Sequence, residues 1–229
     1  MFHSPQRIIC FVSLAVLVGL IWDGGNARAV KPREYPRHTA ITTTLFWVGE
    51  DASDENAYIS NAPSAWDDDW QAHYGGVDSP DHRRGYLPAG FTPKENPFYC
   101  ALPYSDFGKD GHKPDVLTVV PWARERPWGD TESLCKNRWL KITYAGKSVY
   151  AQWEDVGPFK TDDARYVFGA ATPRSHINHH AGLDVSPAVH DYLSLSGEDR
   201  TDWQFVDDQS VPPGPWKRVI TISQTSWKQ

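Results

Sequence analysis

The sequence predicts a mainly β domain, a sandwich or small barrel of mostly antiparallel strands. Three observations carry this. Short β-branched and aromatic runs recur, Gly- and Pro-rich turns separate them, and helical patterning is confined to two brief segments. Residues 30–40 are polar, contain two prolines and form an extended tail. "ITTTLFWVG", from Ile41, is the first strand. Residues 50–98 are mostly turn chemistry; a structureless loop of that length is unusual, so this insertion is expected to fold locally and to serve a site. Within it "SAWDDDWQAHYG" reads as a helix with Ser64 as N-cap and Gly75 at its end.

"DVLTVVPW" reads as a strand. "RWLKITY" and "KSVYAQWED" form a hairpin around Ala145-Gly146, with Val149, Ala151 and Trp153 on its buried face and Tyr150, Gln152 and Glu154 on its wetter one. "SPAVHDYLSL" is a short helix capped by Ser186, with Pro187 at its first position. "DWQFV" and "WKRVITIS" close the chain as two further strands on either side of a "PPGP" turn. No internal repeat is visible.

The first 29 residues read as a signal peptide. Arg7 gives a short basic start, Ile8 to Trp22 are almost entirely apolar, and Ala27-Arg28-Ala29 has the small-x-small form of a cleavage site. The apolar run is shorter than a membrane span needs, so the mature chain, from Val30, is expected to be secreted or periplasmic, with no membrane contact after cleavage. It keeps Cys100 and Cys135, and two cysteines in an oxidising compartment most simply form one disulfide; two unpaired buried thiols are the other reading. Losing Arg7, Arg28 and Asp23 moves the formal charge from −6 to −7. A mildly acidic surface argues against nucleic acid as a partner, because phosphate binding needs clustered Lys and Arg. Of 11 tryptophans only Trp22 falls in the leader, which leaves much flat aromatic surface for a core or for stacking on sugars.

The run "LPYSDF…RWLKITYAGKSVYAQWEDVGPF…AGLDVSPAVHDYLSL…DWQFV" resembles the double-psi β-barrel domain of rare lipoprotein A, a bacterial septal peptidoglycan enzyme, in order and spacing across roughly residues 100–206. "EDVGPF" and "GLDVSPAVHDYL" are its strongest parts. Expansins and the small double-psi-barrel endoglucanases are similar more distantly, with "TTTLFW" as their first strand. The resemblance implies a six-stranded double-psi β-barrel over residues 41–229, with the 50–98 insertion after its first strand and one or two short helices. It further implies a monomer acting on a polysaccharide: a lytic transglycosylase or glycoside hydrolase on a β-1,4-linked glycan, peptidoglycan before cellulose, or an expansin-like module that binds without cutting. No cofactor is expected.

Position by position, Asp184 matches the proton donor of the small endoglucanases, Asp155 matches the acid of the family's Gly-Pro turn, and Glu50 lies near where the endoglucanases keep a base. Such chemistry needs an acid to protonate the leaving oxygen and, for hydrolysis, a second carboxylate to assist water. Substrate contacts are expected from Tyr99, Tyr104, Asp106, Trp153 and His180. The chain departs from the pattern where the family keeps a histidine before its LPFG turn; Tyr99, Cys100 and Ala101 stand there instead. Local roles compete with each assignment: Asp155 and Asp184 also suit a turn and a helix entry, accepting backbone hydrogen bonds. "HINHH", with Asp162 and Asp163 nearby, matches no strong zinc spacing and reads as a polar loop. Asp67 to Asp69 read as a solvated helix start rather than a calcium loop. Trp66, Trp70, Tyr74 and Tyr86 are either sugar platforms or the insertion's own small core.

Overall fold

In a computed structural model the chain is described at Met1, residues 33–54 and 56–224. The predicted leader, apart from Met1, and the start of the tail lie outside the described residues. Six strands form a closed barrel: β1 (His38–Leu45), β2 (Tyr99–Leu102), β3 (Trp139–Tyr144), β4 (Lys147–Val156), β5 (Leu183–Val185) and β6 (Asp199–Val206). Around the barrel the order is β1-β6-β3-β4-β2-β5, closing back on β1. β1/β6, β6/β3, β3/β4 and β2/β5 pair antiparallel, whereas β1/β5 and β4/β2 pair parallel, so the barrel is mixed.

The β3–β4 hairpin turns where the sequence placed it. Ala145 and Gly146 both take positive φ (47° and 80°), the left-handed pair that matches the strands' twist. Across it Leu140 faces Ala151 and Ile142 faces Val149, while β6 sets Phe205 opposite Leu140 and Trp203 opposite Ile142. All are buried, and this row is the barrel's apolar centre. The other face of β4 is dry as well, contrary to the expected wetter stripe, because Gln152 and Glu154 lie under the chain's C-terminal segment. That segment, read as a strand, has no ladder there. A short 3-10 turn (Pro215–Lys217) precedes it, and the side-chain amide of Gln152 stands in for a strand, accepting from Thr221 N and donating to Thr221 O, both at 2.9 Å.

Four short helices occur among the described residues: α1 (Trp70–Tyr74), α2 (Val116–Val119), α3 (Ala164–Val167) and α4 (Pro187–Leu193). α4 matches its prediction, with Ser186 accepting from Val189 N and Pro187 at the first position. α1 is one turn ending at Gly75 (φ 114°), shorter than predicted because Ser64 instead bridges Asp67 in a tight turn. α2 replaces the strand read from "DVLTVVPW"; its β-branched residues pack one side, Val116, into the core as a helical turn. The insertion carries its own small core, in which Trp70, Tyr74 and Phe91 pack against Phe46, Val48, Tyr99 and Ala101.

The expected Cys100–Cys135 disulfide is not formed. Both residues are free thiols, fully buried in the main core, and burial holds both well above the usual thiol range. Cys100 Sγ contacts the Gln152 carbonyl oxygen at 3.5 Å inside the β2/β4 pair, while Cys135 sits in the turn ahead of β3. Counting cysteines against a compartment says nothing of where the fold puts them. Among the described residues no helix is long and apolar enough to cross a membrane.

Candidate functional site

Strand register brings the two aspartates of the sequence analysis to one place. Ala101 on β2 faces Asp155 on β4 to one side and Asp184 on β5 to the other; Asp184 in turn faces Thr44 on β1. Residues in register share a face of the sheet, so four neighbouring strands contribute one row: Asp155, Ala101, Asp184, Thr44. The two aspartates are two strand spacings apart, about 9–10 Å between their Cα atoms. Between them stands only the methyl of Ala101, which leaves a trough with a carboxyl on either side. Gly157, just past β4, completes the floor: a Cβ there would lie 3.3 Å from Asp184 Oδ2, so a larger residue would crowd that oxygen. The cis Gly157–Pro158 bond and Phe159, at a left-handed φ of 57°, follow directly.

Glu50 reaches the same trough from the far end of β1. A turn closed by Glu50 N donating to Trp47 O (3.1 Å) needs Gly49 at φ 77°, where a Cβ would lie 2.9 Å from the Val77 side chain. Asn61, from the insertion, donates to Glu50 Oε2 at 2.7 Å. Glu50, Asp155 and Asp184 thus line one groove of about 270 Å³, along with Trp47, Ile59, Asn61, Phe159 and Asn178. Trp47 and Phe159 are partly exposed in it. The volume lies just below the usual range of small-molecule sites, roughly 300–1,000 Å³.

The electrostatics favour protonated carboxyls. Asp155 is only 7 % exposed, and burial pushes it up to about 7 against two backbone donors, Ala65 N and Val156 N, both 2.7 Å from Oδ1. Asp184 also rises to about 7. Burial is the main cause, the Thr44 hydroxyl donating to Oδ1 opposes it, and the negative charges of Asp155 and Glu50 add to it. No lysine or arginine lines the groove. An acid that holds its proton near neutrality is what general acid catalysis requires. Among the described residues no group of three or more His, Cys, Asp or Glu could hold a metal ion.

The five expected substrate contacts are elsewhere. Tyr99, Tyr104, Asp106 and Trp153 are buried, each 1 % exposed or less. Tyr99 donates to Asp78 Oδ2 (3.0 Å) and accepts from Val48 N (3.0 Å), tying the insertion to the barrel. Asp106 accepts from Trp66 Nε1, Ser133 Oγ and Leu134 N. Tyr104 and Trp153 are core rings packed on Phe168. His180 is exposed and stacks edge-on to His176 at 4.9 Å; its loop meets the groove through Asn178. Residues not singled out in the sequence supply the lining instead. Thr44 had a signal, its place on the first strand, whereas the Ala65 amide had none, because a backbone donor leaves no trace in a sequence.

Comparison with known proteins gives no family model and no curated protein that matches this chain.

Proposed function

We propose that this chain is an exported, monomeric, polysaccharide-active protein of the rare lipoprotein A type, built on a double-psi β-barrel and acting on a β-1,4-linked glycan, peptidoglycan first. The observation that carries the reading is the convergence of Asp184, Asp155 and Glu50, from three distant parts of the chain, on one groove. The double-psi assignment is supported by the two parallel pairings, β1/β5 and β4/β2, set into an otherwise antiparallel barrel. Export is supported by the leader pattern of residues 1–29.

In this reading Asp184, held by Thr44, gives its proton to the glycosidic oxygen, and Asp155 or Glu50 serves the water that completes hydrolysis. Trp47 and Phe159 offer partly exposed faces for sugar stacking. Where the family keeps a histidine this chain has Tyr99, buried and committed to Asp78 and Val48, so carboxyl groups alone carry the proton transfers. That favours two-carboxylate hydrolysis over transglycosylation.

The test incubates the protein with peptidoglycan sacculi, stripped glycan strands and amorphous cellulose, followed by mass spectrometry of the soluble products. Reducing ends are expected, and Asp184→Asn is expected to abolish them while the domain stays folded. Anhydro ends would make it a transglycosylase. Sedimentation with the glycan and no products would make it an expansin-like binding module, and neither binding nor products would end the glycan reading.

A further inference from the structure

The 50–98 insertion does more than flank the groove. Its Ser64–Asp67 turn sends the Ala65 amide into Asp155 Oδ1 at 2.7 Å, matching the bond from Val156 N, so half of that oxygen's backbone support comes from outside the barrel. The turn is fixed on every side. Ser64 N donates to Asp67 O (2.8 Å), and Ser64 Oγ accepts from Trp66 N (3.2 Å). Asp67 Oδ2 meets His73 Nδ1 (2.7 Å) and Asp67 Oδ1 accepts from Asp69 N (3.0 Å). Trp66 enters the main core, donating to buried Asp106 Oδ1 (3.0 Å) and packing edge-on to Trp153 at 5.4 Å. A turn braced in this way holds one amide in one direction.

We propose that the Ser64–Asp67 turn is a positioning element of the site, with the Ala65 N–H as its working atom orienting and tuning Asp155. The inference rests on the groove being the functional site, but its test does not depend on any glycan being bound. The charged groups that face Asp155 are Asp184 from β5 and Glu50 from the loop after β1, and the turn itself carries Asp67 and, through Trp66, Asp106. His73, whose ring meets Asp67 Oδ2, is a titratable base on the turn, but it does not reach Asp155, and among the described residues no lysine or arginine lines the groove, so no cation substitutes for the amide.

The measurement is a carboxyl-carbon NMR titration of the folded full chain, with the Ala65 amide followed in parallel. In the unaltered protein the Ala65 amide proton is expected to move downfield as Asp155 ionises, with the same midpoint, and Asp155→Asn is expected to abolish that movement. Ala65→Pro deletes the donor. One hydrogen bond to a carboxylate is lost, so the Asp155 midpoint should rise by about one to two pH units. A merely structural role gives the opposite sign, since loosening the turn admits water and lets the midpoint fall toward that of an ordinary aspartate. An Ala65 amide indifferent to the Asp155 titration, or a folded Ala65→Pro protein whose Asp155 midpoint stays or falls, overturns the proposal. If Ala65→Pro does not fold, the amide titration decides alone. An unaltered protein that neither cleaves nor binds glycan, with an intact titration, would refute the proposed function and leave the positioning role standing.

Discussion

Glu154 and Asp155 are consecutive on β4, both buried, and both pushed up to about 7 chiefly by burial. Their surroundings could hardly differ more. Strand alternation sends them to opposite faces. Glu154 meets Lys136 Nζ at 2.9 Å, and both side chains are 1 % exposed or less. Lys136 also donates to Ser223 O and Oγ, and Ser223 Oγ donates to Glu95, whose other oxygen accepts from Trp70 Nε1. Burial works against the lysine's charge, yet Glu154 and Glu95 hold its pKa above the usual value, so this face is a charge-paired knot joining barrel, insertion and C-terminal segment. Among the described residues Asp155 accepts from backbone amides alone, and Asp184 and Glu50, both acids, share its groove. The proposed role of Asp155 draws on that difference, a carboxyl held by backbone donors rather than paired with a cation.

The largest effect that tests this contrast is on the paired side. Lys136→Met leaves Glu154 buried without its cation and should cost about 3–5 kcal/mol, the usual loss when one partner of a buried pair is removed. For a chain of this size that is a fall in Tm on the order of 10 °C. Adding Glu154→Leu should recover most of it, since the remaining orphan charge is what destabilises. A loss below about 1 kcal/mol for Lys136→Met in chemical denaturation would mean that Glu154 simply keeps its proton and the knot is not ionic.

The unpaired side should behave oppositely. An unfolded aspartate titrates near 3.8 and the folded Asp155 near 7, so the folded chain holds its proton through that window. Stability from this group is complete below pH 3.8 and is lost as pH rises through 7, at about 1.4 kcal/mol per unit. Asp155→Asn keeps the Oδ1 acceptor and removes the titration. It should therefore stabilise the protein by about 2–4 kcal/mol at pH 8.5 and by almost nothing at pH 4. Denaturant melts at the two pH values check this. Equal effects at both would place Asp155 among ordinary turn residues.

How far this contrast was legible in the sequence depends on which interactions carried it. Local chemistry read well: the Ala145-Gly146 turn, the Ser186-Pro187 helix entry and Gly75 as a helix end each need only a few neighbouring residues. The three acids could be put forward together because a motif resemblance spans the segments that hold Asp155 and Asp184. What failed needed distant partners. Val116–Val119 has the composition of a strand but finds no strand beside it, and 220–223 looks like a closing strand yet pairs with the side chain of Gln152. Tyr104 and Trp153, expected as substrate contacts, are closed over by the core. Glu154 drew attention only as an alternating polar residue, because Lys136, eighteen positions earlier, shows no spacing that predicts the pair.

The smallest effect is the most local. Thr44 gives Asp184 a side-chain donor, and that bond favours the ionised form. Thr44→Val removes the hydroxyl at nearly constant shape, so stability should change by only about 1 kcal/mol. The Asp184 midpoint should rise above about 7, because burial and the neighbouring charges of Asp155 and Glu50 then act unopposed. Thr44→Ser, which keeps the hydroxyl, should leave it in place. If glycan cleavage depends on a protonated Asp184, its alkaline limb should move upward in Thr44→Val by the same amount as the midpoint read by carboxyl-carbon NMR, while Asp155 shifts little. An alkaline limb that stays fixed while the Asp184 midpoint moves would assign the proton to a different carboxyl in the groove, and Asp155 and Glu50 would be the two to examine.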